Sequence, residues 1–233
     1  YHMVTRSAST ERQGASTLAI FALYLLLAIC LTGPLVTSIV SPTATPTVPA
    51  GSHDVWQNYW NFWWWKTAIL QRHQSPYSTD MIFHPLFKDD SAPLGCHTHS
   101  PANILLTLPV NAILGVPAAL NLAIFAGFLF AGFGLYLLAC EYTANRWAAF
   151  IGGIVFAYFP QHVEQSREHL NLASIHAMPL FLWALVRLVR RGGWMWSVLT
   201  GVFFALNALF SWHNGLLILP VGMAVAIFEI LQS

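Results

Sequence analysis

Charge is scarce in this chain: only 8% of its 233 residues are Asp, Glu, Lys or Arg, while 56% are hydrophobic. A freely soluble domain of this size needs more polar surface, so a lipid-facing protein is expected instead. Basic runs are missing as well. The net charge is +1 and the Lys and Arg residues are scattered, with no aromatic-flanked basic groove, which removes nucleic acid as a partner. Cysteine is sparse: Cys30, Cys96 and Cys140 show no CxxC spacing. That argues against a zinc knuckle or a disulfide framework and leaves small-residue packing as their role. The middles of the apolar runs hold no Asp, Glu, Lys or Arg, which counts against a transporter or channel, whose path is usually lined by ionisable groups.

What the chain has in abundance is apolar length. Residues 18–40 form an uncharged stretch of roughly 23 residues, enough at about 1.5 Å per residue to cross a ~30 Å hydrocarbon core. A cleaved signal peptide fits less well, because its apolar region runs only about 7 to 15 residues. Further apolar runs cover 118–140, 147–159, 172–189, 194–212 and 215–231. The expected fold is all-α: a polytopic transmembrane helix bundle of about six spans. Small residues four apart, Gly127 with Ala131 and Ala148 with Gly152, are expected to let helix backbones approach closely. The chain opens Tyr1-His2-Met3 and stops just after an apolar run, so a longer protein, truncated at its C-terminus, is expected.

Residues 41–117 read as the first outer loop. After a linker rich in Pro, Thr and Ala, residues 56–72 have the pattern of an amphipathic helix. Trp56, Trp60, Trp63, Trp64 and Thr67 share one stripe, with Gln57, Asn58, Asn61 and Gln71 elsewhere. Trp-rich helices of this kind lie in the headgroup layer, so an interfacial position is expected. Residues 75–100 contain Pro, Asp and His without a sustained period and read as an ordered loop. Residues 101–116 are apolar but roughly 16 long and interrupted by Pro109, which favours a re-entrant segment over a crossing. With that choice Arg6, Arg12, Arg146, Arg187, Arg190 and Arg191 all fall on the cytoplasmic side, as the positive-inside tendency asks. Residues 1–17 then form a cytoplasmic N-terminus and residues 18–233 a multi-pass module of the plasma (inner) membrane.

Polar chemistry concentrates on the opposite, outer side. Asp54 stands immediately before the Trp-rich helix, where a carboxylate can face a lipid-borne substrate or simply cap the helix. Residues 161–171 hold two His, two Glu and an Arg between apolar helices, more than a connector needs. Within them Glu164 and Glu168 lie four apart, on one face if helical, and His169 can join Glu168 as an acid/base partner or ligand. Cys96-His97-Thr98-His99 has the alternation that would let an extended strand offer imidazoles to a metal, although a plain polar loop explains it too. Lys66, Arg72, Lys88 and Arg167 lie outside against the positive-inside tendency, and a phosphate near the interface would account for them, as would solvation. His176 and Asn207 sit within helices and read as interhelical hydrogen-bond partners.

The order of these features resembles the GT-C superfamily of membrane glycosyltransferases. The resemblance lies in Gln57-Asn-Tyr-Trp-Asn-Phe-Trp-Trp, His97-Thr-His-Ser-Pro101 and His169-Leu-Asn-Leu, followed by Met178-Pro-Leu, and runs from about residue 18 to residue 212. It implies a sugar donor carried on a polyprenyl phosphate in the lipid bilayer, with an acidic residue of the first outer loop as general base or metal ligand. Carried over by position, that residue is Asp54, and the second acidic position falls on Glu164 or Glu168. His53 and Gln57 flank Asp54 and join Lys66, Arg72 and Arg167 as candidate substrate- and phosphate-binding residues. A divalent cation (Mg, Mn or Zn) is the one cofactor this reading admits, on Asp54, His97 and His99. Many members pair acids in the first loop, whereas this chain has Ser52-His53-Asp54. The rival expectations are a non-catalytic membrane subunit or scaffold and, less favoured, a transporter.

Overall fold

The computed structural model describes residues 2–33, 36–37, 54–82, 92–95 and 97–232, with side chains from residue 17 onward. Its elements are α1 (His2–Leu31), α2 (Asp54–Lys66) with a π-helical continuation over Thr67–Gln71, α3 (Pro101–Leu114), α4 (Val116–Ala139) and α5 (Arg146–Ala157). They continue with α6 (Pro160–Glu168), α7 (Leu170–Ala173), α8 (Ala177–Arg191), α9 (Trp194–Phe210) and α10 (Trp212–Gln232). A two-residue antiparallel pair, β1 (Ser78–Thr79) with β2 (Ala92–Pro93), is the extended structure among the described residues. The chain is all-α, as its apolar runs imply.

Three helical stretches are long and apolar enough to cross a membrane: α4, the run Leu170–Arg191 and α10. They mark a membrane protein. The apolar part of α1, Thr17–Leu31, and α3, α5 and α9 are shorter apolar helices.

The long helix α4 is the spine. Its N-terminal half packs on α2 and α3, where Phe62, Trp64, Ile104, Ala119 and Leu120 are buried together. Its C-terminal half packs on α1 and α5 through Tyr24, Leu129, Tyr136 and Ala149. Helices α8, α9 and α10 close around one another on its other side.

Helix α3 runs through Pro109 without ending and meets α4 across Gly115 alone. That residue has φ +88°, a left-handed conformation that favours glycine, and it lets α3 fold back along α4. The start of α3 is pinned to the α9–α10 junction, since Ser100 Oγ donates to the Phe210 carbonyl at 2.7 Å.

Two expectations change here. The stripe assigned to headgroups is in part core: Trp64 is fully buried, and Asn58 and Asn61, off that stripe, are buried too, while Trp56 is 57% exposed. The asparagines go inward because each finds a backbone carbonyl there, Glu168 at 3.1 Å for Asn58 and Thr98 at 2.8 Å for Asn61. Close helix approach also falls elsewhere than on Ala148 and Gly152, which is open within 4 Å. It falls on Gly132 and Gly153, where a Cβ at Gly153 would meet the Tyr24 hydroxyl and the Gly132 carbonyl.

The bundle has two chemically distinct ends. Arg146, Arg187 and Arg191 line one, together with Thr17 at the start of the apolar part of α1. Asp54, His169 and His213 line the other.

Candidate functional site

Asp54 occupies the first turn of α2, where a carboxylate also suits the helix dipole. His169 occupies the corner between α6 and α7, and its backbone is held on both sides. Its N–H donates to Gln165 at 2.8 Å, and its carbonyl accepts from Leu172 and Ala173, both at 2.9 Å. The Asn58 bond to Glu168 ties α2 to this corner. The result is a side-chain pair: His169 Nε2 lies 2.9 Å from Asp54 Oδ2, with the side chains 36% and 51% exposed.

The pair borders a cavity of about 200 Å³, which Gln57, Thr98, Glu168 and His213 also line. An imidazole that donates its Nε2–H to a carboxylate keeps a lone pair on Nδ1 and is oriented as a base. Equally, the Asp54 carboxylate can itself accept a proton. Proton abstraction from a small polar group, a hydroxyl for example, is the chemistry this arrangement can do.

Other candidates fall elsewhere. Glu164 points outward and pairs with Arg167 at 3.9 Å, with both side chains more than half exposed. Arg72 binds Asp80 at 2.8 Å and lies over the Trp64 ring, 5.4 Å from its centre. Neither Arg72, Arg167 nor Lys66 lines the cavity, so the expected phosphate-binding cations are not gathered around Asp54. The reason is local: Arg72 and Arg167 each have a carboxylate within a few residues of their own segment. His53, Lys88 and Cys96 lie outside the described residues.

Nor does the structure gather Asp54, His97 and His99 into one group. Among the described residues no group of three or more His, Cys, Asp or Glu is arranged to hold an ion. Asp54 Oδ2 faces His169, while His99 Nδ1 accepts the Trp65 indole N–H at 3.3 Å. Burial, reinforced by the neighbouring His97, pushes the His99 imidazole down to about 4. His97 is lowered by burial too, and Gln57 Nε2 stands 3.5 Å from its Nδ1.

A buried polar network joins the neighbouring elements, and most of its members are not among the candidates named from the sequence. Asn103 Nδ2 donates to Ser100 Oγ at 2.9 Å and to Ser174 Oγ at 2.7 Å. Asn214 Nδ2 donates to the Ser174 carbonyl at 2.9 Å, so α3, the α7–α8 junction and α10 are joined. His162 lies with its Nε2 2.8 Å from the Ala173 carbonyl and its Nδ1 against the Ala157 carbonyl. The signal for this network was available: Ser100 and Asn103 lie three apart at the mouth of an apolar helix, and Asn214 opens another. Among the described residues, His176 and Asn207 make no side-chain hydrogen bond to another helix, contrary to expectation. His176 packs edge-on against Phe210 with ring centres 4.2 Å apart, and Asn207 Nδ2 donates within its own helix to Phe203 at 2.8 Å.

Comparison of the chain with protein-family models, with curated proteins and with solved structures finds no significant match.

Proposed function

We propose that this protein is a membrane glycosyltransferase of the GT-C kind, moving a sugar from a polyprenyl-phosphate donor to an acceptor at the outer face of the plasma membrane. In this reading α1, α4, α5, α8, α9 and α10 are the six spans, the α3 hairpin is the re-entrant segment, and the arginine end is cytoplasmic. The supporting observation is the Asp54–His169 contact at 2.9 Å, made between distant segments at the edge of a polar cavity. Asp54 takes the proton of the acceptor hydroxyl, whose oxygen attacks the anomeric carbon as the polyprenyl phosphate departs. His169 holds the Asp54 carboxylate in place, and Gln57 and His213 border the acceptor. At about 200 Å³ the cavity suits the acceptor group alone, with the lipid-borne donor approaching from the bilayer.

The test is transfer from labelled polyprenyl-phosphate sugars by the protein in liposomes. Asp54→Asn should lower the rate by about 10²-fold or more, as for loss of a general base. Equal transfer by wild type and Asp54→Asn would remove Asp54 from the mechanism. One observation favours the rival reading of a non-catalytic membrane subunit: the cavity is smaller than the ~300–1,000 Å³ of ordinary ligand sites and has no Lys or Arg among its described lining residues. A protein that retains the labelled lipid but transfers nothing with any acceptor supplied would fit that rival.

A further inference from the structure

A larger cavity lies at the other end of the bundle. It measures about 950 Å³ and lies between the apolar start of α1, the end of α4, the turn that follows it and α8. Arg146, Arg187 and Arg191 form its polar lip with Glu141, and Leu18, Phe21 and Leu137 are among its apolar walls.

Charge at this end does not cancel. Arg187 Nε binds Glu141 at 2.6 Å and Arg190 Nε binds Glu229 at 2.6 Å. Arg190 and Arg191 lie a further 3.8 and 3.6 Å from the same Glu141 carboxylate. With Arg146, four guanidiniums meet two carboxylates among the described side chains, leaving two positive charges in excess. Arg187 also lies over Trp183 and Trp196, 4.7 and 4.9 Å from the ring centres, which positions its guanidinium by cation–π contact.

The surroundings of this lip suit membrane-surface depth. Trp147 and Trp194, close in sequence to Arg146 and Arg191, are 64% and 80% exposed, as expected of an aromatic belt at a membrane–water boundary. Leu18, at the cavity wall, is 69% exposed. A soluble anion would use the arginines and leave the apolar wall uncovered. A lipid uses both.

We propose that this cavity binds an anionic membrane lipid, its headgroup phosphate on Arg146, Arg187 and Arg191 and one acyl chain along Leu18, Phe21 and Leu137. Guanidiniums match phosphate oxygens in bidentate geometry, and basic pockets between membrane helices take such headgroups. The site is independent of any sugar transfer at the opposite end.

Native mass spectrometry of the protein released from nanodiscs tests it, with phosphatidylglycerol and phosphatidylcholine of identical chains in equal amounts. Wild type should retain phosphatidylglycerol preferentially. Arg146→Gln, outside the Glu141 ion pairs, should weaken the preference about fivefold, and Arg146→Gln with Arg191→Gln should abolish it. Arg146→Lys with Arg191→Lys keeps the charge and should keep much of the preference, which separates lost charge from lost folding. Equal retention of both lipids by wild type would overturn the proposal. So would an undiminished preference in Arg146→Gln, or a rise in thermal unfolding temperature in detergent as large with inorganic phosphate as with phosphatidylglycerol.

Discussion

Gly153 and Gly132 matter because Tyr24 is large. Its hydroxyl donates to the Phe150 carbonyl at 2.7 Å, which requires the ring to pass between α4 and α5 where neither backbone carries a Cβ. Gly153→Ala should therefore destabilise the protein by roughly 1–3 kcal/mol, as overpacking does. Gly152→Ala, with nothing within 4 Å of the new Cβ, should be close to neutral. Thermal unfolding of the two variants in detergent makes the comparison, and equal effects would refute the packing account. His99 supplies a second prediction at a single side chain. Its folded value of about 4 lies below the ordinary 6.5, so the unfolded chain binds a proton that the folded one refuses. Stability is then full above about 6.5 and declines as pH falls toward 4. His99→Gln keeps an acceptor for the Trp65 indole and should flatten part of that acid limb in unfolding measured from pH 7 to pH 4. His97 and His162, also lowered by burial, should keep the rest.

Helix α2 is a clamp rather than a float. Three asparagine contacts fix it: Asn58 to Glu168, Asn61 to Thr98, and Asn111 of α3 to its own Phe62 carbonyl at 2.9 Å. These bonds bring the α6–α7 corner and the segment before α3 to the start of α2, so the Asp54–His169 pair depends on them. Asn61→Leu leaves the Thr98 carbonyl without this donor and should cost about 1–3 kcal/mol. Hydrogen exchange at residues 97–100 should accelerate, and unchanged exchange would mean that the clamp is unnecessary. Little of this was legible in the sequence. Periodicity places Asn58 and Asn61 off the Trp stripe, but an asparagine on an amphipathic helix faces water or a buried carbonyl with equal ease. The choice rests on a neighbour supplied by another segment.

The bundle as a whole sorts its charges. The arginine end and the Asp54 end are separated by the lengths of α8, α9 and α10, each running from one to the other. Cys140 lines the arginine-end cavity, while Cys96 precedes the Thr98 that lines the Asp54 end. An impermeant thiol reagent on intact cells should therefore label Cys96 and spare Cys140 if the arginine end faces the cytoplasm. The reverse pattern would invert the proposed topology and move the sugar chemistry to the inner face.

Helix content and membrane residence were set by the sequence on its own, because both depend on local quantities: the length of an apolar run and the hydrogen bonds a backbone must make within it. Asp54 and His169 stood out for the same reason, as ionisable groups beside apolar helices. That they touch was decided only in three dimensions, as was the dispersal of Arg72 and Arg167 to carboxylates of their own. Contacts between distant segments follow from how helices pack, and that packing turned on Gly115, Gly132, Gly153 and the inward-facing asparagines.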